Sequence, residues 1–222
     1  MKQLKFFFAF LLIISLIGCF DDINDNTPIE YFAYGIYHFD TKNITTDDHE
    51  NLIVRNASDI SYTEDTRVFV CFFVDKFEDD FTIEVTVTRI FDISVPLIHL
   101  DEENRGLYET NYAIDYIFMW VRQDYLTVIF NFWRENERSV HNFSFLMDPE
   151  EQEEGKINLT FHHAANSAFA YSHIEKWVST SIKELKDLYP AKDSVELVIS
   201  FPRVSTPGNP DRVEKHSIWY VY

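Results

Sequence analysis

The sequence predicts a mainly β protein in two parts, a small barrel or meander followed by a β-sandwich that carries one amphipathic helix. Three observations lead there. Short alternating or continuous apolar segments recur from Glu30 to the end of the chain. A break with Pro96, an acidic patch (Asp101, Glu102, Glu103) and Gly106 divides an earlier set of these segments from a later one. One stretch, between Ser172 and Pro190, spaces its apolar residues as a helix does.

Ahead of the first strand lies an address. Lys2 and Lys5 precede an apolar run from Phe6 to Ile17, which ends in Leu16-Ile17-Gly18-Cys19. The run is too short to span a bilayer, which takes roughly 20 apolar residues, and a small residue just before a cysteine fits lipoprotein processing. Residues 1–18 are therefore expected to be a signal peptide, and Cys19 the acylated first residue of the mature chain. Residues 19–29, with Asp21, Asp22 and Asp25, read as an acidic tether. Asp21-Asp22 fits a solvated linker and equally an acidic signal for export to the outer leaflet of the outer membrane. The expected location is lipid-anchored at the outer membrane, on its periplasmic face or at the cell surface.

Residues 30–94 supply the first set of strands. Tyr31 to Tyr37 opens it and Leu52 to Val54 is a weaker strand. Arg67 to Val74 is nearly continuous in apolar residues, as a strand covered on both faces would be, and Phe81 to Thr88 alternates strictly. Residues 95–113 read as a linker. In residues 114–222, Tyr116–Val121 and Tyr125–Trp133 form a hairpin around Arg122-Gln123-Asp124, and Val140–Met147 and Lys156–His163 follow. Ile174, Trp177, Val178, Ile182, Leu185 and Leu188 make one helical stripe, so a helix is expected over about 173–189, capped by Ser172 and stopped by Pro190. Ser194–Phe201 and Glu214–Val221 close the sandwich around a Pro-Gly loop.

Composition narrows the function classes. Of 222 residues, 46% are hydrophobic and 17% aromatic, ample for packed cores, and only 5 glycines speak against a flexible stalk. The formal charge is −18, and loss of residues 1–18 removes Lys2 and Lys5 with no acid, leaving −20. Phosphate backbones and anionic head groups would be repelled, so no nucleic acid is expected and the lipid anchor is the membrane contact. Of the two cysteines, acylation takes Cys19. Cys71 is then left without a disulfide partner, in an apolar strand that suits an inert buried thiol.

The stretch Ile114 to Val128, then His141-Asn-Phe-Ser-Phe145, then Ile157-Asn-Leu-Thr-Phe-His-His-Ala164, resembles the NigD-like family of bacterial lipoproteins. A Trp strand, a polar turn before Asp-Tyr-Leu, a His-led strand and a Phe-His pair come in the family's order, and Arg67-Val-Phe-Val is similar as well. The resemblance implies an OB-like barrel followed by a sandwich, and a non-enzymatic binding or accessory role related to bacteriocin immunity. It implies no catalytic residues. The segment Thr41 to Asn51 is longer and richer in threonine and acids than the family's usual barrel turns.

His162-His163 suggests a metal, with His141 and His173 as further ligands, but neighbours on a strand point to opposite faces. There is no Gly-x-Ser-x-Gly elbow or phosphate-cradling glycine loop, and no carboxylate pair is singled out. The expectation is no enzyme, no catalytic residue, no metal and no cofactor. Aromatic side chains remain: Tyr125, Trp133 and Trp219 are the candidate binding surface, for a protein or glycan partner. The alternatives are a glycan-binding or glycan-hydrolysing envelope protein and a structural subunit of an outer-membrane complex.

Overall fold

The computed structural model describes residues 28–135, 138–166, 172–190, 192–203 and 212–222. The signal peptide, Cys19, the tether up to Thr27 and the Pro-Gly loop lie outside the described residues.

The first part is a closed barrel. Its strands are β1 (Glu30–His38), β2 (Asn43–Thr46), β3 (Asn51–Val54), β4 (Thr66–Phe77) and β5 (Thr82–Asp92), in the order β1-β2-β3-β5-β4. All neighbours are antiparallel except β3 and β5. Alternation on β4 sends Val68, Val70 and Phe72 inward to meet Ile83, Val85 and Val87 of β5, with Ile44 and Leu52 from the short strands. Two register shifts, at Cys71/Phe72 and Val74/Lys76, bend β4 and β5 as closure demands. Closure also needs Gly35, where a Cβ would lie 2.5 Å from the Thr45 carbonyl oxygen on β2.

The second part is two facing sheets. After β6 (Leu97–His99), the strands are β7 (Ile114–Arg122), β8 (Tyr125–Arg134), β9 (His141–Met147), β10 (Lys156–Ala165), β11 (Ser172–Ser181), β12 (Ser194–Arg203) and β13 (Arg212–Val221). One sheet runs β13-β12-β10-β9-β6 and the other β11-β8-β7. Phe130, Phe132, Phe143, Phe145, Phe161 and Phe201 fill the space between them. The expected linker, 95–113, does more than connect, because β6 within it pairs in parallel with β9 as the sheet's edge. Three paired residues are too few to show alternation in sequence.

The expected helix over about 173–189 is a correction. Residues 172–181 form β11, paired with β8 over its full length, and only Lys183–Leu188 turns, as a 3-10 helix. Both faces of β11 are covered. Val178 points into the sandwich core while Trp177 packs against the barrel, and adjacent apolar residues on opposite faces imitate a helical stripe. Ile182 and Leu185 complete the imitation by burying themselves in the core from the following turn.

Candidate functional site

Barrel and sandwich meet where the outer face of β4 lies on the outer face of the β11-β8-β7 sheet. Arg67 is odd in an apolar strand, and alternation turns it away from the barrel core toward Tyr125, Thr127 and Ser179. Its guanidinium, 2% exposed, grips Asp47 with a fork of two bonds, 2.5 and 2.7 Å long. Its Nε donates to Ser179 Oγ at 3.3 Å, and the Tyr125 ring lies 4.8 Å from the charge. Gln123, in the β7–β8 turn, donates to the Thr46 carbonyl at 2.7 Å. That turn holds Gln123 and Asp124 at φ 47° and 66°, the left-handed pair that a tight hairpin uses.

Beside this clamp runs an aromatic seam. Phe69 of β4 stacks on Trp177 of β11, centroids 5.1 Å apart and planes within 11°. Phe32 and Phe91 flank Phe69 at 5.9 and 6.3 Å. On its other side Tyr34 leads to Trp120 at 4.9 Å, and Trp120 to Phe118 at 5.9 Å. The inner members of this chain are part-buried, but Phe32, Phe118 and Phe91 are 64%, 56% and 47% exposed. Burial pushes the Tyr34 hydroxyl up to about 12, helped by the negative charges of Glu175 and Asp47, so it stays protonated as a donor at the seam.

The sequence-derived candidates fall in three places. Tyr125 belongs to the clamp. Trp133 lies on the same sheet face at its far end, tilted against His173 at 4.6 Å. Trp219 is 62% exposed on β13, in the other sheet, and shares no surface with them. The seam itself was missed, because its members come from β1, β4, β5, β7 and β11. Its one sequence signal was the doubled apolar character of Arg67 to Val74.

Other chemistry is dispersed. His163 accepts or donates a 2.9 Å bond with His141, while His162 bonds the Thr110 carbonyl and His173 lies 3.2 Å from Asp115. Among the described residues no three His, Cys, Asp or Glu side chains gather as a ligand set. Burial drives His163 down to about 3, which keeps the pair neutral. Cys71 is buried and its thiol is pushed up by burial, away from nucleophilic character. A depression of about 630 Å³ beside the 3-10 turn is lined by Lys183, Glu184, Lys186 and Asp187 among others. Glu184 there is already bonded to His99 at 2.7 Å.

Solved structures share this two-part architecture. A NigD-like immunity protein from Bacteroides caccae ATCC 43185 aligns over 89% of this chain and 98% of its own, with 18% identity and a TM-score of 0.67. A candidate lipoprotein from Bacteroides fragilis NCTC 9343 aligns over 87% and 98%, with 11% identity and a TM-score of 0.66. A protein from Parabacteroides distasonis ATCC 8503, described as toxin-related, aligns over 87% and 94%, with 18% identity and a TM-score of 0.66. At these identities the likeness is one of fold. No curated protein matches the chain significantly. Residues 96–202, from just before β6 almost to the end of β12, match the model of the NigD-like C-terminal beta sandwich domain.

Proposed function

We propose that this chain is a lipid-anchored, non-catalytic envelope module of NigD-like type that docks a protein partner on its aromatic seam, in an accessory or immunity-type role. The observation that carries the reading is the run of exposed Phe32, Phe91 and Phe118, joined through Phe69, Trp177, Tyr34 and Trp120. Large aromatic side chains that stay exposed beside a rigid buried joint are what interface cores are made of. The formal charge of −18, with Glu175 and Asp47 near the Tyr34 hydroxyl, favours a partner whose rim is basic. The anchor rests on the basic pair, the short apolar run and Gly18-Cys19, and a lipoprotein assignment for one protein of the same fold agrees with it.

Two experiments test the reading. Metabolic labelling with a clickable fatty acid should tag the wild type and not Cys19→Ala, and labelling that persists in the variant removes the anchor. Affinity capture from native envelopes should recover the same protein with wild type and with Trp219→Ser, and lose it with Phe32→Ser/Phe118→Ser. Capture that is indifferent to the seam refutes the docking site, and a glycan recovered in place of a protein changes the partner class.

A further inference from the structure

The edges of the sandwich are treated unequally. Among the described residues, β6 offers three residues, and β7 is broken by a register shift between Tyr116 and Phe118. The edge of β11 is occupied at Ser179, whose amide and carbonyl bond Ile93 and Val95. These are the devices by which sheets avoid edge-to-edge pairing. Among the described residues β13 is neither short, nor broken, nor covered, although it carries Lys215. It pairs with β12 in one unbroken register from Arg212 to Val221, and among the described residues β12 is its only neighbour in the sheet. Even-numbered residues of β13 turn to the core, so Val213, Lys215, Ser217, Trp219 and Val221 form the outer row. Val213, Trp219 and Val221 are 64%, 62% and 70% exposed.

We infer that β13 pairs with the β13 of a second copy of this chain, antiparallel about a two-fold axis through Ser217. The row is complementary to itself about that point. Val213 falls opposite Val221, Lys215 opposite Trp219 as a cation–π pair, and Ser217 opposite Ser217; on the inner side Glu214 meets Tyr220 and His216 meets Ile218. Sheet continuity restricts the axis to whole residues, since a shift by one would set core-facing against solvent-facing side chains. Centring on Ser217 pairs every residue from Val213 to Val221, whereas centring on Lys215 sets two ammonium groups against each other. Isologous pairing of this kind closes a dimer and leaves no free β13 edge. It makes about ten backbone hydrogen bonds, the number a standard interface carries. Two five-stranded sheets become one of ten strands, within the range of twisted open sheets. The aromatic seam lies on the other sheet, so the dimer leaves it free.

The full chain, extracted in detergent, should sediment as a dimer at roughly 100 µM. Ser217→Cys should form an intermolecular disulfide on mild oxidation, because directly opposed residues bring their Cβ atoms within roughly 4.5–5.5 Å. Ser200→Cys, on β12 and paired with Lys215, should not. Trp219→Lys sets like charges opposite each other and should weaken the dimer by roughly tenfold or more while leaving the melting transition in place. A monomer at that concentration overturns the inference. So does equal cross-linking of the two cysteine variants, or a dimer insensitive to Trp219→Lys.

Discussion

The barrel and the sandwich place their aromatic residues on opposite sides of their sheets. In the barrel the core is mostly aliphatic, with Ile44, Leu52, Val68, Val70, Ile83, Val85 and Val87, while Phe32, Tyr34, Phe69 and Phe91 stand outside. In the sandwich six phenylalanines fill the core. A five-stranded closed barrel has a narrow interior that branched aliphatic side chains fill, whereas two sheets about 10 Å apart leave room for rings from both sides. Barrel aromatics are therefore displaced outward, where they pack on the sandwich or meet solvent. The two parts differ also at their rims: among the described residues, closure leaves the barrel no free edge while the sandwich keeps β13 open.

The largest effect should come from cutting the link between the two parts. Asp47→Ala leaves the Arg67 charge buried and unpaired, and should cost about 3–5 kcal/mol in denaturant unfolding, with barrel and sandwich signals separating. Asp47→Ala combined with Arg67→Met should recover part of that loss. A single coincident transition with no loss would mean that the two parts are held together by the seam alone.

Acid should weaken the sandwich first. His163 is neutral in the fold down to about 3 but titrates near its ordinary 6.5 once unfolded. The unfolded chain then binds the extra proton between these values, so stability is complete above about 6.5 and falls as the pH drops toward 3, by about 3 kcal/mol at pH 4. His163→Gln should flatten that slope in acid-unfolding curves read from the sandwich, and an unchanged slope would assign the acid sensitivity to carboxylates instead.

A smaller loss is expected inside the barrel. Gly35→Ala drives a methyl group against the Thr45 carbonyl and the Ile44 side chain, and should cost about 1–3 kcal/mol by thermal or chemical melting. Stability equal to wild type would show that β1 and β2 separate at that point more readily than their pairing suggests.

Much of this fold is legible in the sequence because its strands are short and their alternation is intact. β4, β5, β8 and β12 can be placed from the order of apolar residues alone, and the hairpin turn at Gln123-Asp124 from its polar residues. β11 could not be placed that way. Trp177 and Val178 are both apolar because the barrel covers one face of that strand and the sandwich core the other, and no local pattern shows that a second domain will arrive. β6 was hidden by its length. Among the binding candidates, Trp219 is recognisable as an outward residue of a strand, whereas no local pattern places the Arg67 guanidinium against the Tyr125 ring.

By itself the sequence determined the mainly β class, the order of barrel and sandwich and the acidic charge, and it set the expectation of acylation at Cys19, which would leave Cys71 without a disulfide partner, all properties of neighbouring residues or of composition. The tertiary structure decided what depends on distant segments meeting. Strand pairing brought Asp47, Arg67 and Ser179 into one buried clamp, gathered rings from five strands into one seam, and left β13 as the one long unblunted edge among the described residues. Side-chain alternation states which residues share a face, but only the pairing of strands states what that face will touch.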